Sequence, residues 1–352
     1  MKKAILMITL MLGCMTVFAQ KIDKNELKQL KAFLSMPAEK DGTNAQALKI
    51  TDLNAPSTWE GVTVENGRVK SIEWKDKHLA GDLTLTGFTS LETLNVSRNK
   101  ITSINLSGDA ALSNLNASRN LIKTADLTGC SALVTLNIYK NRLTEIDLSA
   151  TPLLTTFNVS NNYLVSLDVA NSATLKTLNC QGNHLENLKV ENCTALKNLY
   201  CGYNKLTGIT LVGLENLQNL NVDDNEISNM IVSGLPALSS FICSDNNMNS
   251  LAMRGCTALL DLVCSYNNLT SLSVDNCPQL LFVDCSYNDL TQLTLSNQTF
   301  LQRVLCNNNQ LTMLDVSFDQ ALVYVNCRNN MINDLRTMGD NSLRMIACQW
   351  NY

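Results

Sequence analysis

From Leu91 to Leu343, leucine recurs thirteen times at a spacing of 21 residues, with no insertion or deletion anywhere in the series. With these leucines as position 1, position 9 is asparagine thirteen times, from Asn99 to Asn351. Positions 4, 6, 11, 14 and 16 are apolar almost throughout, so one unit reads L-x-x-L-x-[V/C]-x-x-N-x-L-x-x-L-x-[L/V] and ends in a polar turn. A strict period of this length has few structural solutions.

Apolar residues at 4 and 6, flanked by polar 3, 5 and 7, describe a short strand with one face inward. One such unit cannot bury its leucines alone. The units must therefore stack, each strand pairing in parallel with the next at about 4.8 Å, into a repeat solenoid on the order of 60 Å long. The pattern is also nested. "LETLNVSRNK" is followed by "ITSINLSGDAA", two half-units that both begin L/I-x-x-L/I-x-L/V. A strand in the second half would put sheet on both sides of the coil.

The unit fits L-x-x-L-x-L-x-x-N/C-x-L, and residues 69–352 resemble leucine-rich repeats, more narrowly the bacterial class with 21-residue units. The resemblance implies a right-handed coil with a parallel β-sheet on its concave side and short strands or irregular turns on its convex side. Upstream, Trp59, Gly61 and Val62 in "TWEGVTVENGRVKSIEWKDKHLAGDL" resemble the N-terminal cap of plant-receptor-like repeat proteins. "KNELKQLKAFLSM" suits an amphipathic helix with Leu27, Leu30 and Leu34 on one side. The expected organisation is a leader at 1–19, a small helical cap at 20–68 and the repeat array at 69–352. At Trp350-Asn351-Tyr352 the sequence stops within a unit, so either that strand closes the core or the natural end lies elsewhere.

"MKKAILMITLMLGCMTVFA" has the two lysines, apolar stretch and small-residue end of an export signal cleaved before Gln20. Its apolar run is short for a membrane span, so the expectation is an exported chain, periplasmic, cell-surface or secreted, with no transmembrane segment after cleavage. Cys14 is a weaker candidate for a lipid anchor, because Met11 and Leu12 are unusual at the start of such a site. The formal charge is −4, and loss of Lys2 and Lys3 leaves 25 basic against 31 acidic side chains, or −6. That balance gives no reason to expect nucleic acid as a partner.

The asparagine column stands where the strand turns. A side chain with both donor and acceptor can satisfy backbone groups there, in its own coil and the next. Eight cysteines (Cys180, Cys201, Cys243, Cys264, Cys285, Cys306, Cys327 and Cys348) share position 6 with Val96, Ala117, Ile138 and Val159. Interchange with small apolar residues points to packing, whereas a straight column offers neither convergent metal ligands nor the side-chain directions a disulfide needs. Cys130, Cys193, Cys256 and Cys277 occupy position 19, in the convex turn, as shielded thiols. A bridge between Cys256 and Cys277 in consecutive coils stays open.

Catalysis requires residues that break the pattern and converge. The two histidines, His78 and His184, lie five coils apart, and Cys180 should point inward, away from His184. Asp126, Asp147, Asp168 and Asp315 recur at position 15 as an outward, solvated face. The expectation is a protein that is no enzyme and needs no cofactor or metal.

On the concave sheet positions 3, 5 and 7 should face solvent, with position 8 beside them. Early coils fill them with Thr93, Asn95 and Ser97, then Asn114, Asn116 and Ser118, with Arg98, Arg119 and Lys140 at position 8. Later coils place Phe282, Arg303, Tyr324 and Met345 at position 3, Ile242, Val263 and Leu305 at position 5, and Tyr266, Tyr287 and Trp350 at position 8. Packing gives an outward sheet face no reason to become apolar, so these residues outline a recognition surface for a protein or peptide. Aromatic platforms equally suit a glycan. The same side chains could instead cover one another, or serve self-association at the C-terminal edge of a structural surface protein.

Overall fold

The structure, a computed structural model, describes residues 22–274, 277–293, 295, 298–339 and 341–351; the expected leader at 1–19, its expected cleavage site and Cys14 lie outside them. The repeats stack as coils of leucine-rich-repeat form, and every coil from Thr93–Asn95 to Met345–Ala347 adds one three-residue strand to a single 15-stranded sheet. Pairing is parallel and follows the period, as in Leu94↔Leu115 and Leu115↔Leu136. The inward residues of positions 1, 4, 6, 11, 14 and 16 form one continuous apolar core.

A second set of strands lies on the convex side, as the nested pattern implies. Ala80–Thr84, Lys100–Asn105 and Thr124–Asp126 pair together, as do Ser166–Asp168 with Asn187–Lys189, Asn229–Ser233 with Ser250–Arg254 and Leu272–Ser273, and Met313–Asp315 with Asp334–Arg336. Both halves end alike. Asn95 Oδ1 accepts the Ser97 amide on one side, and Asp126, Asp147, Asp168 and Asp315 accept the amide two residues on at the other. The position 15 carboxylates therefore close Asx turns.

The convex sheet is interrupted. Residues 145–147 and 208–210 form no strand, although their sequences keep the inward pattern. At the first interruption Ile146 and Leu148 are only partly buried, and an open cleft of about 680 Å³ runs beside them, lined also by Leu154, Leu167, Val169 and Leu175.

The cap is built by local chemistry. Helix α1 (Lys24–Leu34) starts at Asp23, whose carboxylate accepts the amides of Asn25 and Glu26, and buries Leu30, Phe33 and Leu34. Phe33 stacks on Trp74 at 6.1 Å. Asn44, fully buried, donates to the Phe33 and Ala80 carbonyls and accepts the Ala80 amide, tying the cap to the first convex strand. Strands β1 (Val62–Glu65) and β2 (Arg68–Glu73) form a hairpin through Asn66-Gly67, both with positive φ. Strand β1 is antiparallel to β2 and forms the N-terminal edge of the long sheet, a short strand that ends the parallel ladder.

The asparagine column does what its two-sided amide allows. Asn120 Oδ1 accepts the Ile101 amide of the preceding coil, while Nδ2 donates to Val96 O in that coil and to Ala117 O in its own. The same set recurs from Asn99 to Asn351.

The thiols of Cys180, Cys201, Cys243, Cys264, Cys285, Cys306 and Cys327 are fully buried in the core, and Cys348 is exposed. Burial pushes the Cys180 thiol up to about 12, and Cys264 and Cys306 well above the usual thiol range. Cys256 and Cys277 are buried and not joined by a disulfide. In the same turn Cys130 and Cys193 donate to carbonyls of the preceding coil, Leu106 O and Val169 O.

Candidate functional site on the concave face

Position 3 forms one column across adjacent strands: Ser240, Asp261, Phe282, Arg303, Tyr324 and Met345 pair in register. Each inward neighbour at position 4 or 6 is an apolar core residue, and this fixes the outward direction of positions 3 and 5. The Arg303 guanidinium lies 5.5 Å from the Phe282 ring centroid and 5.7 Å from that of Tyr324. One cation thus sits between two rings, a cation–π arrangement. Met345, on the last strand, is 52% exposed.

Position 5 is less continuous than the sequence suggests. Ile242 pairs with Val263, but Asp284 separates Val263 from Leu305, and Asn326 follows. The Asp284 carboxylate accepts the Ser286 amide and hydroxyl at 3.0 and 2.6 Å, closing its own Asx turn. Ile242 is thereby set apart from Leu305 by three strand spacings, about 14 Å.

Position 7 differs from expectation where it is serine. Ser97, Ser118, Ser160, Ser244, Ser265 and Ser286 are buried. The strand has already begun to turn there, and Ser97, Ser118 and Ser160 each give their hydroxyl to the asparagine two residues earlier. Where position 7 is larger it reaches the surface: Tyr139, Gln181, Asn307 and Arg328 are half-buried and Gln349 is exposed, so the concave surface is positions 3, 5 and 8 with position 7 added in those coils.

Position 8 has a property the sequence analysis did not identify: in every coil it adopts the left-handed conformation, with φ between 49° and 65° from Arg98 to Trp350. Asn161, Gly182, Asp224, Asp245, Asn308 and Asn329 suit that backbone and could have revealed it. Tyr266 and Tyr287 occupy it with stacked rings, centroids 4.3 Å apart and planes 9° apart, at 50% and 43% exposure. Trp350 stands 72% exposed three coils on. Tyr203, in the same slot with φ 55° and 56% exposure, also belongs to this row.

The structure thus gathers Phe282, Arg303 and Tyr324 into one column and Tyr266 with Tyr287 into another, while Ile242, Met345 and Trp350 lie toward the two ends. The side chains partly cover one another, and enough remains exposed to meet another molecule. Among the described residues no group of His, Cys, Asp or Glu is arranged to hold a metal ion. His184 lies beside the Tyr163 ring at 5.7 Å, and the Cys180 Sγ–H is directed to Tyr200 O at 3.6 Å.

Solved structures place this architecture among leucine-rich-repeat folds. A leucine-rich-repeat protein of Leptospira interrogans superposes with a TM-score of 0.65 at 19% identity, covering 90% of this chain and 88% of its own. The plant peptide hormone receptor RGFR1, solved in complex with RGF2, gives 0.61 at 21% identity over 84% of this chain and 53% of its own. The leucine-rich effector YopM of Yersinia pestis gives 0.58 at 22% identity over 74% and 78%. No protein-family model and no curated protein matches the sequence.

Proposed function

We propose that this chain is a non-catalytic, exported binding scaffold of the bacterial 21-residue class, which recognises a protein or peptide through the C-terminal half of its concave face. The contact residues are Ile242, Val263, Tyr266, Phe282, Tyr287, Arg303, Leu305, Tyr324 and Met345. One observation carries this reading. Tyr266 and Tyr287 hold a left-handed backbone that disfavours a residue with a Cβ by about 1 to 2 kcal/mol. Six other coils fill the slot with Gly, Asn or Asp, and five accept the same backbone with Arg98, Arg119, Lys140, Tyr203 and Trp350; Tyr266 and Tyr287 are set apart by stacking two rings that stay 50% and 43% exposed. The backbone belongs to every coil, but a stacked pair of half-exposed rings on an outward face is better explained by a partner than by the fold.

The plant receptor of similar fold, solved with RGF2, is consistent with a peptide ligand. A glycan is the weaker alternative, because Tyr266, Tyr287, Phe282 and Tyr324 each turn one ring face to a neighbour within the protein. Export agrees with the leader and with the finding that no helix among the described residues is long and apolar enough to cross a membrane. A second reading, self-association of the last coils, draws on the exposure of Met331, Met345 and Trp350.

The test is selection from a displayed library of random nine-residue peptides, run in parallel with a glycan array. We expect peptides that bind the purified chain and lose binding on Tyr266→Ser with Tyr287→Ser, at an unchanged melting temperature. Recovery of glycans alone, or peptides indifferent to both tyrosines, would reject the assignment. Light scattering over a concentration series addresses the second reading, which requires mass to grow with concentration.

A further inference from the structure

Arg303 differs from most surface arginines in three respects. Rings cover its guanidinium on both sides, at 5.5 Å from Phe282 and 5.7 Å from Tyr324. The side chain nevertheless stays exposed. No carboxylate among the described residues reaches ion-pairing distance of it, and its guanidinium has no hydrogen-bond acceptor there; the ion pairs beyond residue 100 join Lys189 to Asp168 and Arg336 to Asp334 instead. A guanidinium held by its faces presents its N–H groups edge-on, in the fork that matches a carboxylate.

Resting on the reading above, we infer that Arg303 is the anchor for a single side-chain carboxylate of an extended peptide, clamped in advance by Phe282 and Tyr324. Clamping matters because a free arginine loses rotamer freedom when it binds, and here the flanking rings have already removed much of it.

The surroundings define what accompanies that carboxylate. Asp261 lies in register beside Phe282, and Asp284 occupies position 5 of the strand next to Arg303. Asp284 already commits one oxygen to Ser286, so its charge stays near the site without pairing to Arg303. Two fixed negative charges on one side repel a polyanion, which excludes nucleic acid and sulfated glycans as the favoured occupants and leaves room for one acid only. On the remaining sides lie Leu305, Tyr324 and the Tyr266–Tyr287 stack, surfaces that take apolar or aromatic side chains. The ligand therefore has one Asp or Glu set among apolar residues.

The experiment uses the peptides selected above, resynthesised with amidated C-termini so that only side chains carry carboxylate, and read by fluorescence anisotropy. A single Asp or Glu should be enriched in the selected pool, and its replacement by Gln or Asn should weaken binding about tenfold, the range expected for a charge-assisted pair. Arg303→Gln should weaken the acidic peptide equally and leave the amide peptide's affinity unchanged. Arg303→Lys keeps the charge but loses the fork, and should fall between; it also serves as the variant to read if Arg303→Gln lowers the melting temperature. Peptides that need Tyr266 and Tyr287 but ignore both the acid and Arg303 would overturn this inference alone. Arg303-dependent capture of heparin in preference to such peptides would also overturn it. Failure to recover any peptide would remove the reading it rests on as well.

Discussion

Asn225 spends its whole amide on the backbone: Nδ2 donates to Cys201 O, Val222 O and Asp223 O at 3.2, 3.0 and 3.1 Å, and Oδ1 accepts the Leu206 amide at 2.9 Å. Asn225→Ala leaves these groups buried and unsatisfied, and should lower stability by about 2 to 3 kcal/mol in urea denaturation. Asn225→Asp should be at least as harmful, because it keeps the shape but turns a carboxylate toward three carbonyls; a milder effect than alanine would contradict this account of the column. Asp109 is the other demanding residue. It is fully buried, its Oδ1 accepts the Phe88 amide at 2.7 Å, and its Oδ2 has no partner. Burial pushes its carboxyl up to about 8, against the pull of the Phe88 and Gly87 amides. The unfolded chain gives up this proton near pH 4, the folded chain only near 8, so the folded state binds more protons in between. Stability from this group is therefore complete below about pH 4 and is lost as pH rises toward 8. Asp109→Asn should remove that decline, seen as a flatter plot of urea midpoint against pH than the parent shows.

At the level of the elements, Gly208 is informative. It stands at position 13, where Ser166 and Ser250 begin convex strands; a Cβ there would meet nothing within 4 Å, and its φ is not left-handed. Gly208→Ser should therefore raise stability by roughly 0.5 kcal/mol, chiefly by restricting the unfolded chain. What the sequence revealed and concealed follows the same division. The leucine, asparagine and thiol columns were legible because a buried slot admits few residue types, and thirteen copies expose the restriction. At position 7 alternation predicts an outward side chain, while the turn rotates Ser97 and the other serines inward and leaves larger residues such as Arg328 part-exposed. The left-handed slot at position 8 was overlooked because Arg98, Arg119 and Lys140 show no preference for it; only Gly182 and the Asn and Asp residues do. At the candidate site, the column Phe282, Arg303, Tyr324 followed from the period, but the sandwich of Arg303 and the absence of a carboxylate partner depend on side-chain directions that no pattern encodes. The broken strand at 145–147 was equally hidden, since "LTEIDL" and "LVSLDV" read alike while only the second forms one.

Across the whole molecule the two sides are not equivalent. The concave sheet runs unbroken through all its coils, whereas the convex strands come in groups of three, two, three and two among the described residues. Strands on both sides, each bonded at about 4.8 Å, would force every coil to be parallel to the next; omitting bonds on one side frees that side to spread. Hydrogen–deuterium exchange should detect this, with the amides of residues 145–147 and 209–210 exchanging faster than those of Thr124–Asp126, because they lack partners in adjacent coils. Equal protection would mean that the interruptions do not persist in solution.

In mechanical terms the array is a row of stiff panels on a continuous backing, and its compliance is concentrated at the joints between them, near residues 145–147, near 208–210 and between Leu272–Ser273 and Met313–Asp315. The panel behind Ile242 and Val263, from Asn229–Ser233 to Leu272–Ser273, has strands on both sides. Among the described residues convex pairing stops again between Leu272–Ser273 and Met313–Asp315, behind Phe282 and Arg303, so the spacing of the tyrosine stack and the Arg303 clamp is set by the unbroken concave sheet.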